Sequence, residues 1–495
     1  MPTSRRPRLT RTAALAWLDR RLNFERAMPA TAAPGTFGLA RVRRLLAAVG
    51  NPHHRFPVVH VAGTKGKGST VAMLAEVLRA AGYRVGRYMS PHVDRLEERI
   101  CVGGRPIPAA ALVRAFAEVM PAVERMDRAA RRRGAACPTW FEVLTVVAFV
   151  HFARSRVDLA VLETGLGGRL DATNVSRPVL SIITSISLDH MHLLGPTVGR
   201  IAREKAGIIK RGCPVISAAT HPAARRVIAA TAAARRAPLC EQGRDFEATY
   251  RLPAADADPL CPGSVLVRET GEPLRAGDAP RETLLPLGMP GPHQAVNAAL
   301  VVMAVRSLVA RGVCRVGDRA VAHGLRSVRL PARIETIASD PLVILDAAHN
   351  VASMESLVET LGQVGRSCRP TVLVFAASSD KQIDQMLAVT RGRFDHVVVT
   401  RYATNPRAAT VPRLVEACRR AGLPAPQVAT APAEALRLAR TLATPRGLVC
   451  VAGSFFLAAE IRDGLAAAAD RTGGRPGRRG STGSRQPAQD VDRPR

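Results

Sequence analysis

The segment VVHVAGTKGKGST, Val58–Thr70, constrains this chain more than any other stretch. Apolar β-branched residues run straight into a glycine-rich turn, and helical spacing follows over 69–81. A buried strand, a tight loop and a helix in that order make one unit of a parallel α/β sheet, because parallel strands need a crossover between them. Such a turn bares backbone N–H groups at a helix N-terminus, where the helix dipole favours an anion. The strict phosphate-loop pattern GxxxxGK[ST] is not met: Val61 stands where its first glycine would be, and Gly68 follows Lys67. The shorter GTKGKGST still offers a lysine at the turn and hydroxyls at Ser69 and Thr70. A plain glycine turn with surface lysines is the competing interpretation, and the position between an apolar strand and a helix favours phosphate binding.

Only five of the 71 basic side chains are lysines: Lys65, Lys67, Lys205, Lys210 and Lys381. Lysine is a compact point charge that fits among phosphate oxygens and can lose its proton, whereas arginine is a planar fork that stays charged. Lys67 is therefore expected to contact phosphate, with Lys65 on the loop surface or an auxiliary contact. Lys205, on the helical segment AREKAGIIK, gains chemical interest for the same reason.

With 495 residues, 47% hydrophobic and 4% aromatic, the chain suggests two or three domains whose cores rest on Leu, Val, Ile and Ala. Its net charge of +31 comes from arginines spread over the whole length, without an RNA-binding aromatic signature, zinc finger or basic-region heptad. Nucleic acid is accordingly not expected as a partner, and an anionic small molecule fits better. Nine scattered cysteines without a CxxC pair argue against a disulfide framework or zinc site and for a reducing cytoplasm. No apolar run of about 18 residues announces a membrane span. The start, MPTSRRPRLTRTAALAWLDRRL, reads as an arginine-rich amphipathic helix, with a transit peptide as the alternative.

Further strands are expected at 157–164 and 178–186, and a helix from about His293. Between about Ala218 and Leu287 the pattern breaks into short strands and loops at the sheet margin. After the LPA break at 330–332, PLVILDAAHN, PTVLVFAASSDK, FDHVVVTRYA and GLVCVAGSFF alternate with helical stretches, as in a second, smaller α/β domain. The expected boundaries are 1–328, 329–468 and a disordered basic tail at 469–495.

Strand ends in such sheets carry ligands. LETGLGGRLDATN puts Glu163 at one, suited to Mg2+; TSISLDHMHLLG puts Asp189 and His190 at another; VILDAAHN puts Asp346 and His349 at a third. Arg333 of LPARIE lies near the domain junction, where a cation could clamp a nucleotide or could be ordinary surface.

The ordered series HVAGTKGKGST, MSPHVDRLEERI, TWFEVLT, ETGLGGRLDATN, TSISLDHMHLLG, AREKAGIIK, GPHQAVNAAL, LPARIE and LDAAHN resembles the folylpolyglutamate synthase/dihydrofolate synthase family of the Mur ligase superfamily, over about residues 15–465. The resemblance implies a phosphate-loop, parallel-sheet ATPase domain followed by a smaller Rossmann-like α/β domain. It implies ATP-dependent addition of L-glutamate to a folate or dihydropteroate carboxylate through an acyl phosphate. By the same resemblance Gly63, Thr64, Lys65, Gly66, Lys67, Gly68 and Ser69, with Asn297, Arg333 and Asp346, would bind ATP. Ser90, Glu163 and His190 would hold Mg2+, two such ions and K+ being expected, and Lys205 would be carbamylated. Lys67, His190 and Lys205 would serve catalysis. Thr139, Trp140, Phe141, Glu142, Leu170, Asp171, Ala172 and His349 would line the substrate. A cytoplasmic monomer is implied, and another amide ligase of the superfamily, such as a cell-wall amino-acid ligase, is the alternative. Three departures stand out: Lys65 for a usual Asn, PARIE for PGRFE, and LDAAHNV for LDGAHNP.

Overall fold

The computed structural model describes residues 9–26, 37–253, 261–271, 280–362 and 368–471. The expected basic tail lies outside them from residue 472 onward. Eight strands form the first sheet: β1 (Val58–Ala62), β2 (Val85–Tyr88), β3 (Ile100–Val102), β4 (Arg105–Pro106), β5 (Leu159–Glu163), β6 (Leu180–Ile183), β7 (Val215–Ser217) and β8 (Leu239–Glu241). Their order is β4-β3-β2-β5-β1-β6-β7-β8, parallel except at β3 and β4. All five residues of β1 and of β5 are buried, as continuous apolar strands covered on both faces must be. The chain leaves β1 for β2 on one side, and from β5 it crosses over β1 into β6 on the other. Their loops diverge there and open a crevice at the strands' carboxyl ends.

Helix Lys67–Ala80 packs on one face of this sheet with helices Pro292–Ala310 and Asp318–Ser327. Helices Arg11–Asp19, Leu39–Ala48, Ala109–Arg132 and Trp140–Arg154 cover the other. Pro292–Ala310 is long and apolar enough to cross a membrane, yet 72% of its apolar window is buried in the protein, so its composition reflects a core position. The stretch expected to hold only short strands and loops differs in one respect. PAARRVIAATAAA forms a helix, Pro222–Ala234, because Ala224, Ile228 and Ala232 recur on one face and pack against the sheet. Among the described residues, that stretch also supplies β8 at the edge of the main sheet and a small antiparallel sheet, β9 (Phe246–Arg251), β10 (Ser264–Glu269) and β11 (Glu282–Pro286).

The second domain has six strands: β12 (Glu335–Ser339), β13 (Leu342–Leu345), β14 (Thr371–Phe375), β15 (His396–Val399), β16 (Gln427–Val428) and β17 (Leu448–Ala452). Their order is β12-β13-β17-β14-β15-β16, with only the edge strand β12 antiparallel. Apolar clusters fill both faces, so this sheet too offers its strand ends, not its faces, to ligands.

Candidate active site

The phosphate loop is held by close fit. Gly63 has φ +157°, and a Cβ there would meet Thr184 Oγ1 at 1.7 Å. Thr184 donates its hydroxyl to the Lys65 carbonyl at 2.5 Å, and Thr64 N donates to the Ser185 carbonyl at 2.7 Å. The Thr64 hydroxyl accepts from Ser187 N at 3.1 Å. Gly66 sits at φ +80°, where a Cβ would lie 2.2 Å from Asn297 Oδ1. That left-handed residue turns the chain into the helix, whose first residue is Lys67. The Lys67 ammonium donates to the Thr64 carbonyl at 3.3 Å and lies 4.0 Å from Glu163 Oε1. Gly68 packs beside Glu163, and Ser69 is buried. Lys65 Nζ is buried without a hydrogen-bond partner, and burial brings its pKa down to about 8.

Glu163, at the end of β5, is buried and accepts from Ser90 N at 3.2 Å. Burial raises its pKa above the usual carboxylate value, and Lys67 and the Ser90 N–H only partly oppose this. His190 follows β6 at φ +48°, and burial lowers its pKa to about 4, so its imidazole is neutral at pH 7. Lys205, on helix Val198–Ala206, is buried and donates to the Gly63 carbonyl at 2.6 Å. Burial first, and then the charge of Lys67, bring its pKa down to about 7.

The expected substrate wall divides in two. Phe141 lies against the GLGG turn, where a Cβ on Gly165 would meet its ring at 2.6 Å. Leu170 is half-buried and Ala172 buried beside that turn. Other members serve the scaffold. Thr139 and Glu142 form a capping box for helix Trp140–Arg154, and the Glu142 carboxylate also pairs with Arg41 at 3.0 Å. Trp140 donates its indole N–H to Asp19 at 3.1 Å. Asp171 Oδ2 accepts from Gly165 N and Leu166 N, each at 2.9 Å, so this carboxylate shapes the glycine turn.

From the second domain, Asp346 accepts from Ile334 N at 2.9 Å and Ala348 N at 2.8 Å, clamping the segment that carries Arg333. Ala332 and Ile334 flank this arginine at φ +52° and +48°. At Ala332 the family's glycine is replaced in a backbone conformation that costs a non-glycine residue about 1 kcal/mol. The Arg333 guanidinium lies 4.8 Å from the Phe455 ring centroid. His349 Nδ1 is 2.8 Å from the Ala347 carbonyl, which can only accept. Nδ1 therefore carries the proton and Nε2 is the free acceptor. Burial lowers this histidine to about 4.

Two residues near the loop fell outside the expected set. Thr184, a hydroxyl at a strand end, had no spacing signal. Lys381, hinted at only by the rarity of lysine, comes from the second domain and stands 4.0 Å from Asp189, which was expected at its strand end. Between the domains, Arg462 pairs with Asp94 at 3.0 Å, and within its own domain it also pairs with Glu335.

Comparison with known proteins supplies the family. Residues 332–455 match the family model described as Mur ligase, glutamate ligase domain. The chain is 39% identical over 351 residues to the dihydrofolate synthase/folylpolyglutamate synthase of Bacillus subtilis, covering 71% of this chain and 77% of the relative. Identity to the corresponding Mycobacterium tuberculosis protein is 36% over 386 residues, with 76% of each chain covered. Among solved structures, M. tuberculosis folylpolyglutamate synthase complexed with ADP aligns with a TM-score of 0.79 at 32% identity, over 92% of this chain and 98% of that one. E. coli FolC in complex with DHPP and ADP aligns with a TM-score of 0.75 at 30% identity, over 93% and 99%. The chain thus belongs to the folylpolyglutamate synthase/dihydrofolate synthase family and is an ATP-dependent ligase of Mur ligase architecture.

Proposed function

We propose that this ligase joins L-glutamate to the carboxylate of a folate or of dihydropteroate. The observation that carries this reading is the convergence of Lys67, Glu163, His190 and Lys205 on one phosphate loop, with Arg333 and Asp346 of the second domain completing it. The γ-phosphoryl group of ATP passes to the substrate carboxylate, giving an acyl phosphate and ADP. The amino group of glutamate then attacks the acyl carbon, phosphate leaves, and the amine gives up a proton. Such chemistry depends on positioning and charge stabilisation more than on a protein nucleophile.

In this assignment Gly63 to Ser69 wrap the triphosphate, Lys67 meets its terminal oxygens, and Asn297, Arg333 and Asp346 hold the nucleotide from the other side. Among the described residues no cluster of three or more His, Cys, Asp or Glu side chains could hold a metal by itself. Magnesium suits what is present: the buried and only partly compensated Glu163 carboxylate, the Ser90 hydroxyl and the neutral His190, with phosphates and waters filling the shell. When bound, it neutralises the phosphate charge that builds up during transfer. Lys205, lowered to about 7, holds a large neutral fraction at physiological pH, the form that takes up CO2 to become a carbamate and release a proton. The carbamate carboxylate would serve a second magnesium ion. Phe141, Leu170 and Ala172 line the acceptor, with Asp171 and Glu142 shaping that wall from behind. Nine cysteines, all free, support a reducing cytoplasmic setting for a ligase acting on small molecules.

The test is ADP release by purified protein with L-glutamate and either dihydropteroate or tetrahydrofolate. Both rates are expected to require glutamate. Lys205→Arg keeps a charge but cannot be carbamylated, so ligation should be lost and excess bicarbonate should not restore it. Near-normal turnover in that variant refutes the carbamate.

A further inference from the structure

Lys210 follows helix Val198–Ala206, which carries Lys205, and pairs with no carboxylate among the described residues. Its ammonium donates instead to two uncharged oxygens of one residue, Asn174 Oδ1 at 2.7 Å and the Asn174 carbonyl at 3.2 Å. Burial first, and then the charges of Arg43 and Arg235, bring its pKa down to about 8. A cation kept in that field serves the geometry of Asn174 rather than charge pairing.

Asn174 is buried in the short 3-10 helix Ala172–Val175, which ends the LDATN segment of the acceptor wall. Its neighbours decide which way its amide faces. A lysine ammonium can only donate, so Oδ1 faces Lys210, and Nδ2 is left to donate to the Arg169 carbonyl at 2.9 Å and the Gly207 carbonyl at 3.1 Å. The first of these carbonyls belongs to the turn that carries Leu170 and Ala172, and the second ends the helix of Lys205. Contact between the two segments is close along its length. Arg169 N donates to the Glu204 carbonyl at 2.7 Å, a Cβ on Gly168 would stand 2.9 Å from the Lys205 carbonyl, and one on Gly207 would stand 2.5 Å from Arg169 Cα. Without Lys210 the amide loses the donor that fixes its orientation, and a rotated amide would set oxygen against two carbonyls.

We propose that Lys210 and Asn174 are positioning residues of the ligation reaction: Lys210 locks the Asn174 amide, and the amide holds the acceptor wall in register with Lys205. This inference rests on the ligase reading above and adds the device that fixes the acceptor relative to the phosphate loop. Thr184, Ser185, Ser187 and Asn297 hold that loop separately, so nucleotide binding does not run through Asn174. Retention of a lysine where 66 other cations are arginine fits a single point donor that serves both oxygens of residue 174.

The test is Lys210→Met in the full chain, with ADP release followed against dihydropteroate or tetrahydrofolate, whichever wild type uses, at saturating ATP and L-glutamate. Loss of the charge-assisted hydrogen bond and a loosened wall predict a kcat/KM for the acceptor lowered about tenfold or more. ADP affinity by calorimetry should stay at the wild-type level. Lys210→Arg, which keeps a donor, should recover part of the loss. Asn174→Asp keeps the size and the contact to Lys210 but turns a carboxylate oxygen toward the Arg169 and Gly207 carbonyls, so it should lose as much as Asn174→Ala. Because Lys210 acts through Asn174, adding Lys210→Met to Asn174→Ala should cost nothing further. Wild-type acceptor kcat/KM in Lys210→Met or in Asn174→Asp, an equal loss of ADP affinity, or additive losses in the double variant overturns the proposal. Asn174→Asp also decides the matter should Lys210→Met fail to fold. Absence of glutamate-dependent ADP release from wild type with either acceptor would instead sink the ligase reading.

Discussion

In the phosphate loop, Thr64, Lys65 and Gly66 are fixed by Ser187, Thr184 and Asn297 of the same domain, at hydrogen-bond distance or in close steric contact. On the facing side, Arg333, His349 and Lys381 come singly from the ends of different strands in a second sheet, and Lys381 stands 4.0 Å from Asp189 of the first domain. The first region is a preformed cradle whose geometry is set by local backbone and packing. The second depends on how two domains are held together, so its residues reach the first domain only through interdomain packing.

The largest expected effect tests the cradle. Gly66→Ala places a methyl group into Asn297 and a left-handed backbone, so the loop must shift. A displacement of about 1 Å at a reacting group costs on the order of 100-fold in rate. Turnover should fall by that order with weaker ADP binding by calorimetry, and an alanine variant with normal nucleotide affinity would break the picture of a locked loop.

A second prediction concerns the cost of the cradle. Lys205 has a pKa near 7 in the folded protein against 10.5 ordinarily, so the unfolded chain binds the extra proton between those values. Stability should therefore rise as pH increases through that window, the penalty being full below about 7 and gone above 10.5. Its size is on the order of a few kcal/mol. Lys205→Met should be more stable than wild type at pH 7 in CO2-depleted buffer, and its advantage in chemical denaturation should shrink with rising pH. A constant difference would show that the amine is not held neutral.

The smallest effect belongs to the domain junction. Arg462→Ala removes the ion pair to Asp94 and that to Glu335, all three groups being about one-quarter exposed. Partly exposed pairs are worth about 0.2–1 kcal/mol each. The variant should lower the melting temperature slightly and weaken ADP binding far less than Gly66→Ala does, since the loop is fixed within the first domain. Equal losses of nucleotide affinity in the two variants would erase the distinction between the two halves.

The cradle was largely legible beforehand. VVHVAG followed by GKGST dictates a buried strand, a turn and a helix, and Glu163 and His190 were recognisable as polar residues ending apolar strands. Helix Pro222–Ala234 escaped notice because its apolar face is mostly alanine, whose weak hydrophobicity gives little periodic contrast. Glu142 and Asp171 were expected at the substrate wall. Which hydrogen bonds a carboxylate makes is set by the groups brought beside it, here Arg41 and the Gly165 and Leu166 amides.

By itself the sequence determined the alternation of strand and helix, the two-domain α/β architecture, and the loop that cradles phosphate. These follow from hydrophobic periodicity and glycine placement, which act over a few neighbouring residues. Only the tertiary structure decided that Thr184 closes over Gly63, that Lys205 lies buried against a carbonyl of the phosphate loop, and that Lys381 faces Asp189. Those contacts join residues more than a hundred positions apart, and their desolvation and charge coupling exist only once the sheets and domains have packed.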